Sequence, residues 1–180
     1  MVTNLKPKQA VAPATLKDRV AKDAVAEATR QYLAILPTSD PKAIEVQLAI
    51  RRAFHALYLS NCRAVDALGL PVSVTGKRLA ILRTLYFAPE RQMTLSAVSK
   101  IVRVSPAAAT NYVDSLSRGS LVRRTCSPED RHSNIIQLTP KGEAAFQGIA
   151  SALSRSWTEA CAGFTADEKD TLVRLLERLF

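Results

Sequence analysis

Residues 93–146 read MTLSAVSKIVRVSPAAATNYVDSLSRGSLVRRTCSPEDRHSNIIQLTPKGEAAF, and the punctuation of this stretch decides the fold. Thr94 is placed to cap a helix of two to three turns, and Ser105-Pro106 supply an N-cap and a first-turn proline for a second helix reaching about Arg118. About three residues separate the two, which is the helix-turn-helix pattern. At about 100° per residue the second helix turns Ala109, Val113 and Leu116 inward and Ala107, Asn111, Asp114 and Arg118 outward. After Gly119 the period becomes strand-like. Leu121–Thr125 and Asn134–Leu138 flank the turn-forming Ser127-Pro128-Glu129-Asp130 and predict a two-stranded β-hairpin. Thr139-Pro140 then repeats the cap-plus-proline device and opens a helix through Phe146, Ile149, Leu153 and Trp157.

Outward from this stretch the pattern stays helical. A helix from about Thr15 to Leu36 carries an apolar stripe of Leu16, Val20, Ala24, Ala28 and Tyr32. Pro37-Thr38-Ser39-Asp40-Pro41 stops it, and Asp40 caps a second helix that ends near Leu68, before Gly69 and Pro71. A shorter helix follows Thr75 and stops before Pro89, with Leu79, Leu82 and Leu85 on one face. Thr165-Ala166-Asp167-Glu168 has capping-box spacing and opens the last helix, with Leu172, Leu175, Leu176 and Leu179. The expected fold class is mainly α: a winged helix-turn-helix with a two-stranded wing, and a helical dimerisation region drawn from both termini. The expected organisation is a disordered tail over 1–14, dimerisation helices over 15–72, the winged helix-turn-helix over 73–142 and further dimerisation helices over 143–180.

Charge narrows the function. The net charge is +9, and residues 91–142 hold eight basic against three acidic residues, whereas 143–180 hold four against six. A basic surface attracts phosphate by Coulomb steering and counterion release, though the same charge suits an anionic membrane or a plain solvated face. No stretch has the continuous apolar character of a signal peptide or membrane span, so a cytoplasmic protein without membrane attachment is expected. Cys62, Cys126 and Cys161 are an odd number at wide spacings, which suits neither a disulfide framework nor a zinc site. His55 and His132 lie far apart and no carboxylate pair stands out. Neither a metal, a cofactor nor catalysis is expected.

The same residues 93–146, about a third of the chain, resemble the MarR family of bacterial regulators. The resemblance lies in the ordered set Thr94-Leu95, Val104-Ser105-Pro106, Thr110, Val113-Asp114, Leu121-Val122, Asp130, Leu138-Thr139 and Lys141-Gly142. It implies a homodimer that places two recognition helices on a pseudo-palindromic double-stranded operator, and repression relieved by a small-molecule effector. The segment Thr165–Leu179 resembles the family's closing helix, which pairs with the first long helix of the other subunit. Three departures stand out. Asn111 replaces the arginine that usually follows the recognition-helix threonine, Gly119-Ser120 displaces a glycine by one, and Asp130-Arg131-His132 lacks the wing-tip arginine at its usual place.

The candidate DNA-binding residues follow from helix face and resemblance together. Small Ala107 and Ala108 let the second helix approach base edges, and Thr110 and Asn111 supply hydrogen bonds, Asn111 suiting adenine. Ser96, Lys100 and Ser105 are placed for phosphate, although serines there often serve only as caps, and Thr94, itself a cap, is counted with the DNA-binding residues. Arg118, Arg124 and Arg131 add charge, and His132 is favoured over Arg131 for the minor groove. A solvated helix with Asp114 paired to Arg118 would leave much the same pattern. Arg51, His55 and Tyr58 share one face of the long helix and, by resemblance, border a ligand pocket; a half-exposed flank is the alternative. The competing function is a winged-helix module that binds protein without specific DNA, which the basic excess over 91–142 counts against.

Overall fold

The computed structural model describes residues 16–126 and 134–179, with side chains described from 23 to 125 and from 134 to 179. Its elements are α1 (Leu16–Ile35), α2 (Pro41–Asp66), α3 (Gly76–Phe87), β1 (Gln92–Thr94), α4 (Leu95–Val102), α5 (Pro106–Arg118), β2 (Val122–Cys126), β3 (Asn134–Leu138), α6 (Pro140–Ala160) and α7 (Ala166–Glu177). The chain divides into two compact units, 1–56 and 57–180. Among the described residues no helix is long and apolar enough to cross a membrane.

In the first unit the chain breaks after α1, and Asp40 caps α2 by accepting the Lys42 N–H at 2.8 Å, as its place before a proline predicts. Thr29 is buried, and its hydroxyl donates to the Val25 carbonyl at 2.9 Å, so its burial leaves no unmet donor. Tyr32, Leu36 and Val46 stay exposed, and Ile35 and Phe54 are 78% and 70% exposed.

The second unit holds the main core. α3 contributes Ile81, Leu82 and Leu85, α5 contributes Val113 and Leu116, and the sheet contributes Val122, Ile136 and Leu138; Phe146, Ile149 and Leu153 of α6 complete the cluster. Ala109, Val113 and Leu116 are fully buried, the face their spacing predicts. The sheet departs from the expected two strands. Among the described residues it has three, in the order β1-β3-β2, all antiparallel. β1 pairs Gln92 with Gln137, Met93 with Ile136 and Thr94 with Ile135. A three-residue strand has too little alternation to be read from sequence; the free edge of β3 recruits it.

One junction fixes the exit of α5 against the start of α6. Thr139 caps α6 by accepting the Gly142 N–H at 2.9 Å, while its hydroxyl donates to the Ser120 carbonyl at 2.7 Å and approaches the Leu121 carbonyl at 3.1 Å. A Cβ on Gly142 would lie 1.9 Å from the Leu121 carbonyl oxygen, so only glycine fits. The displaced Gly119-Ser120 pair has a structural counterpart here. Gly119 keeps right-handed helical angles and Ser120 takes the left-handed turn at φ 58°. Gly119 instead provides clearance, since a Cβ there would come within 2.9 Å of a Val72 methyl.

Candidate nucleic-acid interface

The helix-turn-helix is built from two side-chain caps. Thr94 Oγ1 accepts the Ala97 N–H at 3.2 Å to begin α4, and Ser105 Oγ accepts the Ala108 N–H at 3.2 Å to begin α5. Both hydroxyls therefore work as caps, and each keeps its own proton to donate outward. Between the helices Arg103 takes a left-handed conformation, φ 54° and ψ 63°, at the end of α4. Behind the turn, Lys77 of α3 donates to the Val102 carbonyl at 2.8 Å.

α5 presents the face its spacing predicts. Pro106, Ala107, Asn111 and Arg118 are exposed, with Ala108, Thr110 and Asp114 partly so. On α4, Ser96 and Lys100 are exposed, as is Thr94 before it. Among the described residues, Lys100, Arg103 and Arg118 are exposed cations with no ion-pair partner. Arg103 escaped the sequence reading. Its signal was a lone cation in the turn between two well-capped helices.

Arg124, a candidate DNA contact, is exposed on β2 and also bonds to α5. Its guanidinium lies 3.1 Å from Asp114 Oδ1 and donates to the Thr110 carbonyl at 3.3 Å. Asp114 is thus paired across to β2, and the alternative of an Asp114–Arg118 pair within the helix is not seen among the described residues. The register explains it: Arg124 stands opposite Ile136, two residues on from buried Val122, and so points to the face on which α5 packs. Arg123 turns to the other face and donates to Gln137 Oε1 at 2.8 Å. Arg131 and His132 lie outside the described residues.

A cleft of about 280 Å³ opens in the second unit between the end of α2, the start of α3 and α6. Tyr58, Cys62, Leu79, Arg83, Leu153 and Trp157 are among its lining, and Trp157 Nε1 donates to Asn61 Oδ1 at 3.0 Å across one wall. The hydrogen bond to Cys62 pushes the Tyr58 hydroxyl above its ordinary pKa. Of the three residues expected at a ligand pocket, Tyr58 lines this cleft. Arg51 lines an open groove of the first unit with Tyr32, Asp40 and Gln47, and His55 is exposed and lines neither cavity. Arg83 and Trp157 were not singled out from sequence, because they meet only when α3 and α6 pack. Among the described residues there is no cluster of His, Cys, Asp and Glu able to hold a metal.

No family model matches the chain. Over 106 residues it is 28% identical to the uncharacterised HTH-type transcriptional regulator YdgJ of Bacillus subtilis, covering 59% of this chain and 63% of that protein. It is 26% identical to the HTH-type transcriptional repressor YetL of the same bacterium, over 57% of this chain and 62% of that one. The chain thus spans less than two thirds of the length of these curated relatives. Among solved structures it is similar to a mutant MarR from E. coli complexed with operator DNA, with a TM-score of 0.63 at 22% identity, covering 79% of this chain and 99% of that one. The fold is that of the MarR regulators.

Proposed function

We propose that this chain is a homodimeric, sequence-specific DNA-binding transcriptional regulator, a repressor released when a small molecule binds. The observation that carries the reading is the outward face of α5. Small Ala107 and the amide of Asn111 stand on it, and Lys100 of α4, Arg103 of the turn and Arg118 at the end of α5 are exposed cations without an ion-pair partner among the described residues. Such a face admits base edges closely and meets phosphate at its rim. Thr94, Ser96, Ser105, Ala108 and Thr110 contribute to the same surface. Arg124 is exposed beside it, bonded to Asp114 and to the Thr110 carbonyl of α5, so that it joins β2 to this helix.

Dimerisation is supported by apolar side chains left in water. On α7, Leu172, Val173 and Leu175 are exposed, as are Leu179 just after it and Tyr32, Ile35 and Leu36 at the end of α1. Patches of this kind on a lone chain mark association surfaces. The cleft beside Tyr58 and Arg83 suits an effector with an apolar body and one anionic group. Such a regulator works in the cytoplasm and catalyses nothing.

The test is selection of duplexes from a random pool by the purified protein, followed by sequencing. A pseudo-palindrome with half-sites about one helical turn apart is expected. Finding no enriched duplex would overturn the reading in favour of a module that binds protein. On the selected duplex, Asn111→Ala should relax base preference by about 1 to 3 kcal/mol for the base it reads. Lys100→Ala or Arg118→Ala should weaken all duplexes alike and lower the salt slope by about 0.9 for each phosphate left without its cation.

A further inference from the structure

The turn between α4 and α5 decides how the recognition helix is presented, and a cation from another helix closes it. α4 has only eight residues, so half of its carbonyls lie in a C-terminal turn that its own N–H groups cannot reach. The Arg103 N–H bonds back to the Lys100 and Ser99 carbonyls, and the Val104 N–H donates to the Ser99 carbonyl at 3.1 Å. The Val102 carbonyl, the last of the helix, receives Lys77 Nζ at 2.8 Å in a partly buried bond. One residue after Val102 the backbone is in the left-handed region without the benefit of glycine, a conformation that persists only where neighbours enforce it.

We propose that Lys77 is a positioning residue for DNA binding: its bond to the Val102 carbonyl holds the α4–α5 turn and thereby the presentation of α5. A charged donor on a helix C-terminal carbonyl meets the negative end of the helix dipole, and the bond is stronger than one between neutral groups. Lys77 is an exposed residue whose ammonium is engaged by the Val102 carbonyl, so on this proposal its charge acts on the turn and not on phosphate. The proposal rests on the DNA-binding reading above.

The experiment compares full-length wild type, Lys77→Met, which keeps the apolar stem, and Lys77→Arg, which restores a charged donor. Amide hydrogen exchange is followed at Val104, with Leu82 of the core as the control for global stability. Affinity for the selected duplex is measured across a salt series. Lys77→Met should speed Val104 exchange relative to Leu82 and weaken binding about tenfold, the scale of one charged hydrogen bond. The salt slope should not change, and Lys77→Arg should recover much of both effects. A slope lowered by about 0.9 with exchange unaltered would make Lys77 a phosphate ligand and overturn the proposal. Unaltered exchange and affinity would overturn it as well. Should wild type select no duplex, the DNA-binding reading alone falls, because the exchange comparison still decides whether Lys77 holds the turn.

Discussion

Ser120 sits in the left-handed region at φ 58°, where a Cβ is unwelcome and glycine is not. Ser120→Gly should therefore raise stability by up to about 1 kcal/mol, visible as a higher melting temperature. Gly142→Ala should do the opposite and severely, because its new methyl would overlap the Leu121 carbonyl that Thr139 also approaches. An alanine there that folded with an unchanged melting temperature would refute this role for the glycine. Asp114 and Arg124 are both substantially solvent-exposed, so their pair should couple by only about 0.2 to 1 kcal/mol in a double-mutant cycle. Its larger effect should be on DNA affinity, since Arg124→Ala removes the bonds from β2 to Asp114 and the Thr110 carbonyl beside the exposed face of α5. Which residue served the turn and which served clearance was not legible in Gly119-Ser120, because the clearance is against Val72, a residue distant in sequence.

At the scale of elements, the capped helices were legible because their signals are local. Asp40, Thr94, Ser105, Thr139 and Thr165 each stand where a hydroxyl or carboxylate can take an N–H two or three residues on, and each does so. β1 and the wider partnership of Arg124 were not legible, because both arise from what packs beside them. α7 gives a pH test. Thr165 Oγ1 accepts the Glu168 N–H, and the Glu168 carboxylate accepts the Thr165 N–H in return at 2.8 Å. Those backbone and hydroxyl bonds lower the pKa of Glu168 below its ordinary value. A depressed carboxyl pKa stabilises the fold above the unfolded value, and the contribution is lost as pH falls through the folded one. Exchange protection at the start of α7 should therefore hold from neutrality to about pH 5 and fall below about pH 4. Glu168→Gln should lack that transition. An identical pH profile in the variant would show that the box does not hold the helix end.

For the molecule as a whole, the leucines exposed on and just after α7 are the surface on which the dimer proposal is tested. Deleting residues 165–180 should give aggregated or unfolded protein in sedimentation and melting experiments. A soluble, stable monomer that still binds DNA tightly would contradict the dimer proposal. The core of the second unit was largely foreseeable from its buried α5 and α6 positions, whereas the cleft was not, since its walls come from three helices. The Thr139–Gly142 junction also has a mechanical meaning. α6 leaves it as a rigid rod of 21 residues, about 32 Å long, and Trp157 lies near the far end. With its fulcrum pinned at Gly142, the rod magnifies: a tilt of about 5° there carries the far end nearly 3 Å, on the order of a side chain's width. In the opposite direction, a displacement of that size at Trp157 would be a rotation of only about 5° at the junction.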